Sequence, residues 1–464
     1  MRLDRLLGDV EVLELRGDPT VEVSAVSYDS RAVVPGALFC CVRGERTDGH
    51  DHARAATSAG AVALLCERPL PLDVTHVMVA DARTAMAHAA AAFHGHPSRA
   101  LEVVGVTGTN GKTTTTYLLQ SVLEADGRRT GLIGTLSGAR TTPEAPDLQA
   151  QLARLRDEGH RAVAMEVSSH ALAQHRVDAT RFAVAVFTNL SQDHLDYHHS
   201  MEAYFQAKAR LFEAGRTARA VVNTDDPHGR ILLDAAVVPT RGYSMADVVD
   251  LDVGPRGSTF RWEGEPVQLR LGGLFNVSNA LAAAAAAREL GVGAPAVAAG
   301  LSSVASVPGR FEVVEAGQPF TVVVDYAHTP AGLELLLSDG RRSAAPGARV
   351  IVVFGCGGDR DRDKRPVMGA VATRHADMAV LTSDNPRRED PAAIIADVRS
   401  GATGAGTLRV EPDRRAAIRL AFAQARAGDV VLIAGKGHET TQVVGRRELP
   451  FDDRAVAREE LAAR

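Results

Sequence analysis

An α/β fold in three units is what the sequence predicts, and three observations predict it. Strand-like apolar runs alternate with Ala-rich helical stretches along most of the chain, as in parallel sheets covered by helices. One such run, Leu101 to Val106, leads into the Gly-rich turn Gly108-Thr109-Asn110-Gly111-Lys112-Thr113-Thr114 and then a helix-like segment. Two later runs end in Gly355-Cys356-Gly357-Gly358 and Gly435-Lys436-Gly437, at the strand ends where open α/β sheets bind ligands. The chain has 464 residues, and ~150 residues per domain makes about three cores.

Residues 1–98 are expected to form a small N-terminal α/β domain. Short apolar segments there are separated by turns such as Asp29-Ser30-Arg31 and Asp48-Gly49-His50, and His96-Pro97-Ser98 reads as a linker. Residues 99–310 form a P-loop ATPase-like parallel sheet ending in the turn-rich Val307-Pro308-Gly309-Arg310. New strands at Phe311 to Val314 and Phe320 to Val324 open a Rossmann-like domain over residues 311–464. Neither of its Gly segments has the full dinucleotide fingerprint, which argues against a nicotinamide cofactor. The run Ala280 to Ala287, bounded by Arg288 and Glu289, is too short and too weakly apolar to span a bilayer, and is expected to be a buried or half-buried helix.

Composition removes several function classes. Hydrophobic residues make up 45% and charged residues 23%, as in an ordinary soluble protein. Net charge is -5, and no dense Lys/Arg run is interleaved with aromatics, so no nucleic-acid partner is expected; with the Ala-rich run too short to span a bilayer, no membrane insertion is expected either. The four cysteines form no C-x-x-C pair to hold zinc, and they fit a reduced cytoplasm. Asp4 comes too early for a secretion signal. A monomer is expected.

The Gly108–Thr114 turn has the chemistry of an ATP phosphate cradle. Small residues let backbone N–H groups face an anion, and the helix N-terminus adds favourable partial charge. Lys112 reaches the outer phosphates and the Thr113 hydroxyl ligates Mg²⁺. The spacing is shorter than the common eight-residue form, with Gly108 only three residues before Gly111. Glu166 follows the apolar Ala162-Val163-Ala164, and His194 follows the strand Val184 to Phe187. Beside a phosphate loop, these two strand ends could complete a magnesium sphere, since Mg²⁺ takes most of its ligands from phosphate and water. His198 and His199 are expected at the surface.

Several motifs in a fixed order carry a resemblance. They are Thr141-Thr142-Pro143, Met165 to His170, Phe187 to Leu190, Asp193-His194-Leu195-Asp196, Ala203 to Phe212, Phe275-Asn276-Val277-Ser278-Asn279, Pro308-Gly309-Arg310, Asp325 to Pro330, Gly355 to Asp361, Asp384-Asn385-Pro386-Arg387 and Gly435 to Glu439. Together they resemble the Mur ligases, which build the peptidoglycan peptide, and most closely the type that adds the third amino acid.

The resemblance implies ATP-dependent ligation of diaminopimelate to the D-Glu γ-carboxylate of UDP-N-acetylmuramoyl-L-Ala-D-Glu through an acyl phosphate. It implies that Lys208 is carbamylated by CO₂ or bicarbonate, becoming an anion able to hold a second Mg²⁺; burial among cations would favour the neutral amine this needs. It places Asn276 and Asn279 on the adenine side of ATP, Arg310 at the γ-phosphate, and Asp325 at the ribose or the domain joint. Ser30, Glu45, Arg46 and Thr47 would contact the uridine nucleotide of the N-terminal domain. Thr141, Thr142, Ser168, Gln174 and Arg176 would hold the muramoyl-dipeptide. Arg140 stands where the family commonly has Asn, so the Asn role is not carried over. Arg360, Asp384, Asn385, Pro386, Arg387, Gly435 and Glu439 match diaminopimelate contacts. The guanidinium of Arg387 suits the distal carboxylate that lysine lacks, and Glu439 suits an ammonium. Lysine addition, a folylpolyglutamate-type ligase and a Mur-like partner without turnover remain alternatives.

Overall fold

The computed structural model describes Met1 to Arg464 except Glu45, Arg46 and Ala139. Its first sheet runs, edge to edge, Glu14–Arg16, Thr75–Met78, Ala63–Cys66, Ala37–Cys40 and Ala25–Ser27, parallel except for the first strand. The second sheet has six parallel strands in the order Thr240–Tyr243, Ala220–Asn223, Val184–Phe187, Glu102–Thr107, Ala162–Glu166, Thr130–Ile133. Glu102–Thr107 is therefore central, and the loop after it meets the ends of the strands on both sides. The third large sheet has the order Glu312–Val313, Thr321–Asp325, Val430–Ala434, Val350–Phe354, Met378–Leu381, Thr407–Val410, and only its first strand is antiparallel. Strands such as Val350-Ile351-Val352-Val353-Phe354 are apolar throughout because helices cover both faces of a parallel sheet.

The helix Lys112–Ala125 follows the central strand and packs through Leu118, Leu119 and Val122 against the helix Leu274–Glu289. Ala280 to Ala287 all lie buried in that second helix, as expected from the sequence, and short side chains permit the close approach. The parallel α/β pattern did not anticipate an antiparallel meander of Val248–Gly254, Gly257–Trp262 and Glu265–Leu269. Its alternating Phe260, Trp262, Val267 and Leu269 face the same core as the Ala-rich helix.

At the joint between the second and third large sheets, Gly309 has φ +64, and a Cβ there would collide with Gly437 and His438. Only glycine admits both the left-handed backbone and that approach. Asp325 ties the joint: its Oδ2 accepts from the Phe311 amide at 2.7 Å and its Oδ1 from the Ala327 amide at 2.8 Å.

Candidate active site

The phosphate loop wraps the end of the central strand. Gly111 has φ +88 and lies against Asn279, leaving no room for a side chain. The loop is braced from its neighbours: the Asn110 amide donates to Asn189 Oδ1 at 2.9 Å, and Thr188 Oγ1 donates to the Asn110 carbonyl at 2.7 Å. Thr113, in the first turn of the helix Lys112–Ala125, donates its hydroxyl to Glu166 Oε2 at 3.0 Å, and Arg310 Nη2 donates to the same hydroxyl at 3.1 Å. Glu166 is held in place by the Thr135 amide at 2.8 Å and the Thr135 hydroxyl at 3.2 Å. The Arg310 guanidinium stacks over the Tyr326 ring, 4.4 Å from its centroid.

Two lysines converge on one carbonyl. Lys112 Nζ and Lys208 Nζ each donate to the Gly108 oxygen at 2.8 Å, and Lys112 also reaches the Thr109 oxygen at 2.8 Å. Lys208 is 1% exposed and sits 4.4 Å above the Tyr204 ring. Burial, reinforced by Lys112, pushes the Lys208 amine well below the usual lysine range. Burial likewise lowers Lys112, although Glu166 and Asp193 oppose it. His194 has a left-handed backbone, φ +55, and lies 3.3 Å from Asp193. Burial pushes its imidazole down, so it is neutral and keeps a lone pair for a ligand.

These groups line a cavity of about 750 Å³ shared by the second and third large sheets. Thr109 to Thr114, Thr141, Glu166, Ser168, His194, Lys208, Asn279, Arg310 and Asp325 line it from the phosphate-loop side and the joint. Arg360, Asp384, Asn385, Arg387, Gly435 and Glu439 line it from the third sheet. Burial, and then Arg360, lowers the Arg387 guanidinium, as expected of two cations on one wall. Asn385 Nδ2 donates to Glu439 Oε2 at 2.7 Å.

Other expected residues lie off this cavity or are already engaged elsewhere. Asn276 is fully buried behind Asn279, accepting from the Asn279 amide at 3.1 Å and donating to the Gly272 carbonyl at 2.8 Å, so Asn279 and not Asn276 forms the wall. Asp325 lines the cavity, but both its oxygens serve the joint amides. Gly108 and Pro386 are not among the lining residues, although their chain neighbours Thr109, Asn385 and Arg387 are. His198, expected at the surface, is 7% exposed, with Nε2 2.9 Å from Ser169 Oγ, because its ring is packed between Tyr197 and Tyr204. His199 is exposed, as expected.

The expected muramoyl-dipeptide residues gather at a second locus beside the cavity. Thr142 Oγ1 donates to the Glu166 carbonyl at 2.9 Å and accepts from the Ser168 amide at 3.0 Å. Arg176 donates to the Thr142 carbonyl at 3.1 Å and to Gln174 Oε1 at 2.6 Å. Its other partner, Glu144, was not singled out from the sequence. This buried carboxylate also pairs with Arg140 and stands 3.6 Å from Arg83 of the helix Ala82–Phe93. Ser30, at the start of a short turn, and Thr47, whose carbonyl accepts from the Gly44 amide at 2.9 Å, lie on the first sheet's loops and not on the cavity. Glu45 and Arg46 fall outside the described residues.

Residues with no role assigned from the sequence complete the lining. Asp225, Asp226, Met245, Phe275 and Leu335 are among them, as are Asp193, Lys364 and His328, whose Nε2 lies 3.9 Å from Asp193 Oδ2. Asp225 and Asp226 follow the strand Ala220–Asn223, and that strand-end position was the signal that could have found them.

A phosphate loop on one parallel sheet, sharing its cavity with the strand ends of another, defines an ATP-dependent α/β ligase. Known proteins agree with that class. Residues 22–101, 106–287 and 309–437 match the profiles described as Mur ligase family, catalytic domain; Mur ligase middle domain; and Mur ligase, glutamate ligase domain. The chain belongs to the Mur ligase family. A UDP-N-acetylmuramoyl-L-alanyl-D-glutamate–2,6-diaminopimelate ligase of Geobacillus thermodenitrificans is 47% identical over 484 residues, covering 99% of each chain. The protein of that name from Streptomyces coelicolor is 46% identical over 475 residues, covering 96% of this chain and 93% of its own. A solved structure of a ligase with the same name aligns at TM-score 0.70 and 34% identity over 100% of this chain and 99% of its own. The Mycobacterium tuberculosis folylpolyglutamate synthase solved with ADP and AMPPCP shares the fold at TM-score 0.61 and 22% identity, over 75% of this chain and 91% of its own.

Proposed function

We propose that the protein joins diaminopimelate to the D-Glu γ-carboxylate of UDP-N-acetylmuramoyl-L-Ala-D-Glu, converting ATP to ADP and phosphate. One observation carries this reading: the phosphate loop and the Arg387–Asn385–Glu439 wall face the same cavity. A carboxylate is a poor electrophile, so its oxygen first takes the γ-phosphoryl group of ATP. The diamino acid nitrogen then attacks the acyl carbon, the C–O bond to phosphate breaks, and the nitrogen gives up a proton. Lys112 and Arg310 stand where transferred charge needs cations, and a cavity built from two sheets brings the reactants together.

The residues present suit Mg²⁺. The Thr113 hydroxyl and the Glu166 carboxylate are adjacent hard oxygen donors, and neutral His194 faces the same cavity. Mg²⁺ takes most of its ligands from phosphate and water, so few protein donors are needed. Bound Mg²⁺ would offset phosphoryl charge. Lys208 is read as the carbamate: two amines on one buried carbonyl favour a neutral nitrogen, which attacks CO₂ and loses a proton to become an anion.

On the third-sheet wall, the Arg387 and Arg360 guanidinium groups receive the distal carboxylate and Glu439 the distal ammonium. The Thr142, Ser168, Gln174 and Arg176 locus receives the dipeptide, and the first sheet's loops around Ser30 and Thr47 the uridine nucleotide. Domain boundaries at 98/99 and 310/311, a monomeric state and a cytoplasmic location complete the reading; no helix among the described residues is long and apolar enough to cross a membrane. Incubation with UDP-muramoyl-dipeptide, ATP and diaminopimelate, followed by mass measurement of the product, tests it. Equal rates with lysine would overturn the amino-acid assignment.

A further inference from the structure

Behind Asn385 and Glu439 lies a lysine that none of the roles above uses. Lys436 has no exposed surface. Its Nζ donates to the Thr441 carbonyl at 2.6 Å, to Glu439 Oε2 at 3.0 Å and to Asn385 Oδ1 at 3.3 Å. An ammonium has three N–H bonds, and these acceptors use all of them, so none remains for a ligand. Asn385 Oδ1 also accepts from the Val443 amide at 2.9 Å. Two donors on that oxygen fix the amide, because a flip would turn its NH₂ toward an ammonium and a backbone N–H. Glu439 Oε2 is occupied twice as well, by Lys436 and by Asn385 Nδ2 at 2.7 Å. Among the described residues Glu439 Oε1 accepts no hydrogen bond, and Asn385 Nδ2 has one N–H to spare.

We propose that Lys436 is a positioning residue for the amino-acid acceptor. It holds the two side chains so that one carboxylate oxygen and one amide N–H face the cavity, matched to the ammonium and carboxylate of a zwitterionic ligand end. The inference rests on reading this wall as the diamino-acid site. Removing the ammonium leaves the Asn385 amide held by the Val443 amide alone and takes from Glu439 Oε2 one of its two donors, so both side chains are less firmly placed, while the phosphate loop is untouched.

The test uses the full chain with Lys436→Met and Lys436→Gln, measuring KM for all three substrates. Both variants should raise KM for diaminopimelate about 20-fold or more, the scale of a lost charge-assisted contact, with KM for ATP and for the muramoyl-dipeptide unchanged. In a Glu439→Gln background, adding Lys436→Met should change the diaminopimelate KM by less than about threefold, because both changes act through one contact. A lysine that only supported the fold would raise all three KM values together. That result, an unchanged diaminopimelate KM, or additive effects in the double variant would overturn the proposal. If Lys436→Met does not fold, Lys436→Gln decides it alone. If the wild type ligates another amino acid, the site reading falls, and the same KM comparison with that amino acid decides the role of Lys436.

Discussion

Replacing Arg387 with lysine isolates the fork that the site reading assigns to the distal carboxylate. Arg387 adopts φ +52, an unfavourable conformation for a non-glycine residue. The backbone is held there by its amide on the Val443 carbonyl at 3.0 Å and by the Gly445 amide on its own carbonyl at 2.6 Å. Nη1 is anchored to the Gly358 carbonyl at 2.7 Å. The backbone is fixed outside the side chain, so Arg387→Lys keeps both the turn and one positive charge. What it loses is one of two parallel charge-assisted hydrogen bonds, worth about 1.5–3 kcal/mol. At about 1.4 kcal/mol per tenfold, KM for diaminopimelate should rise roughly 10- to 150-fold. Lysine makes no use of the fork, so its KM should hardly move and the preference ratio should fall by the same factor. Steady-state ligation with each amino acid measures this, with KM for ATP as the internal control. An unchanged diaminopimelate KM, or an equal rise in the ATP KM, would refute the reasoning.

Lys208→Ala should abolish ligation, and short carboxylic acids should restore part of it by supplying the missing anion; full activity without rescue would exclude a carbamate. Arg140→Asn should change the dipeptide KM by less than about fivefold, because Arg140 is 52% exposed and half-exposed ion pairs contribute at most about 1 kcal/mol. Glu144→Gln, by contrast, leaves the largely buried Arg176, whose side chain is 14% exposed, without its carboxylate and should cost roughly 3 kcal/mol in chemical denaturation. Burial alone would raise the Asp178 carboxyl, but hydrogen bonds from His175 and Arg216 hold it well below its usual value. A folded-state pKa below the unfolded value of about 3.9 means its stabilisation is complete above that pH and is lost as pH falls further. Asp178→Asn should therefore flatten the acid limb of the stability–pH curve below about pH 4, and an unaltered slope there would count against the network.

The parallel sheets and the phosphate loop were legible because their signals are local. An apolar strand followed by small residues and a Lys-Thr pair fixes both the turn and the helix. Glu166 and His194 were legible for the same reason, as polar residues at strand ends. What stayed hidden depends on contacts between distant segments. Glu144 looks like any helix-flanking acid until Arg140, Arg176 and Arg83 surround it. His198 sits in a run of polar residues, and only its packing between two tyrosines takes it inside. Asn276 and Asn279 share one helix face, and sequence spacing could not tell which of them meets the cavity. Lys436 lies inside a glycine motif that reads as a flexible ligand loop; that its ammonium points inward, onto Asn385 and Glu439, follows from the register between the strand ends. The antiparallel meander escaped because its strands are joined by tight turns and not by the helices whose alternation with strands marks the parallel sheets.

The central claim is that one cavity activates a carboxylate with ATP and delivers a diamino acid to it. Product mass and ADP release, measured together with UDP-muramoyl-dipeptide and either diaminopimelate or lysine, test it most directly. The account predicts one ADP per tripeptide with diaminopimelate and little product with lysine. No ADP release with diaminopimelate, or equal product from both amino acids, would contradict it.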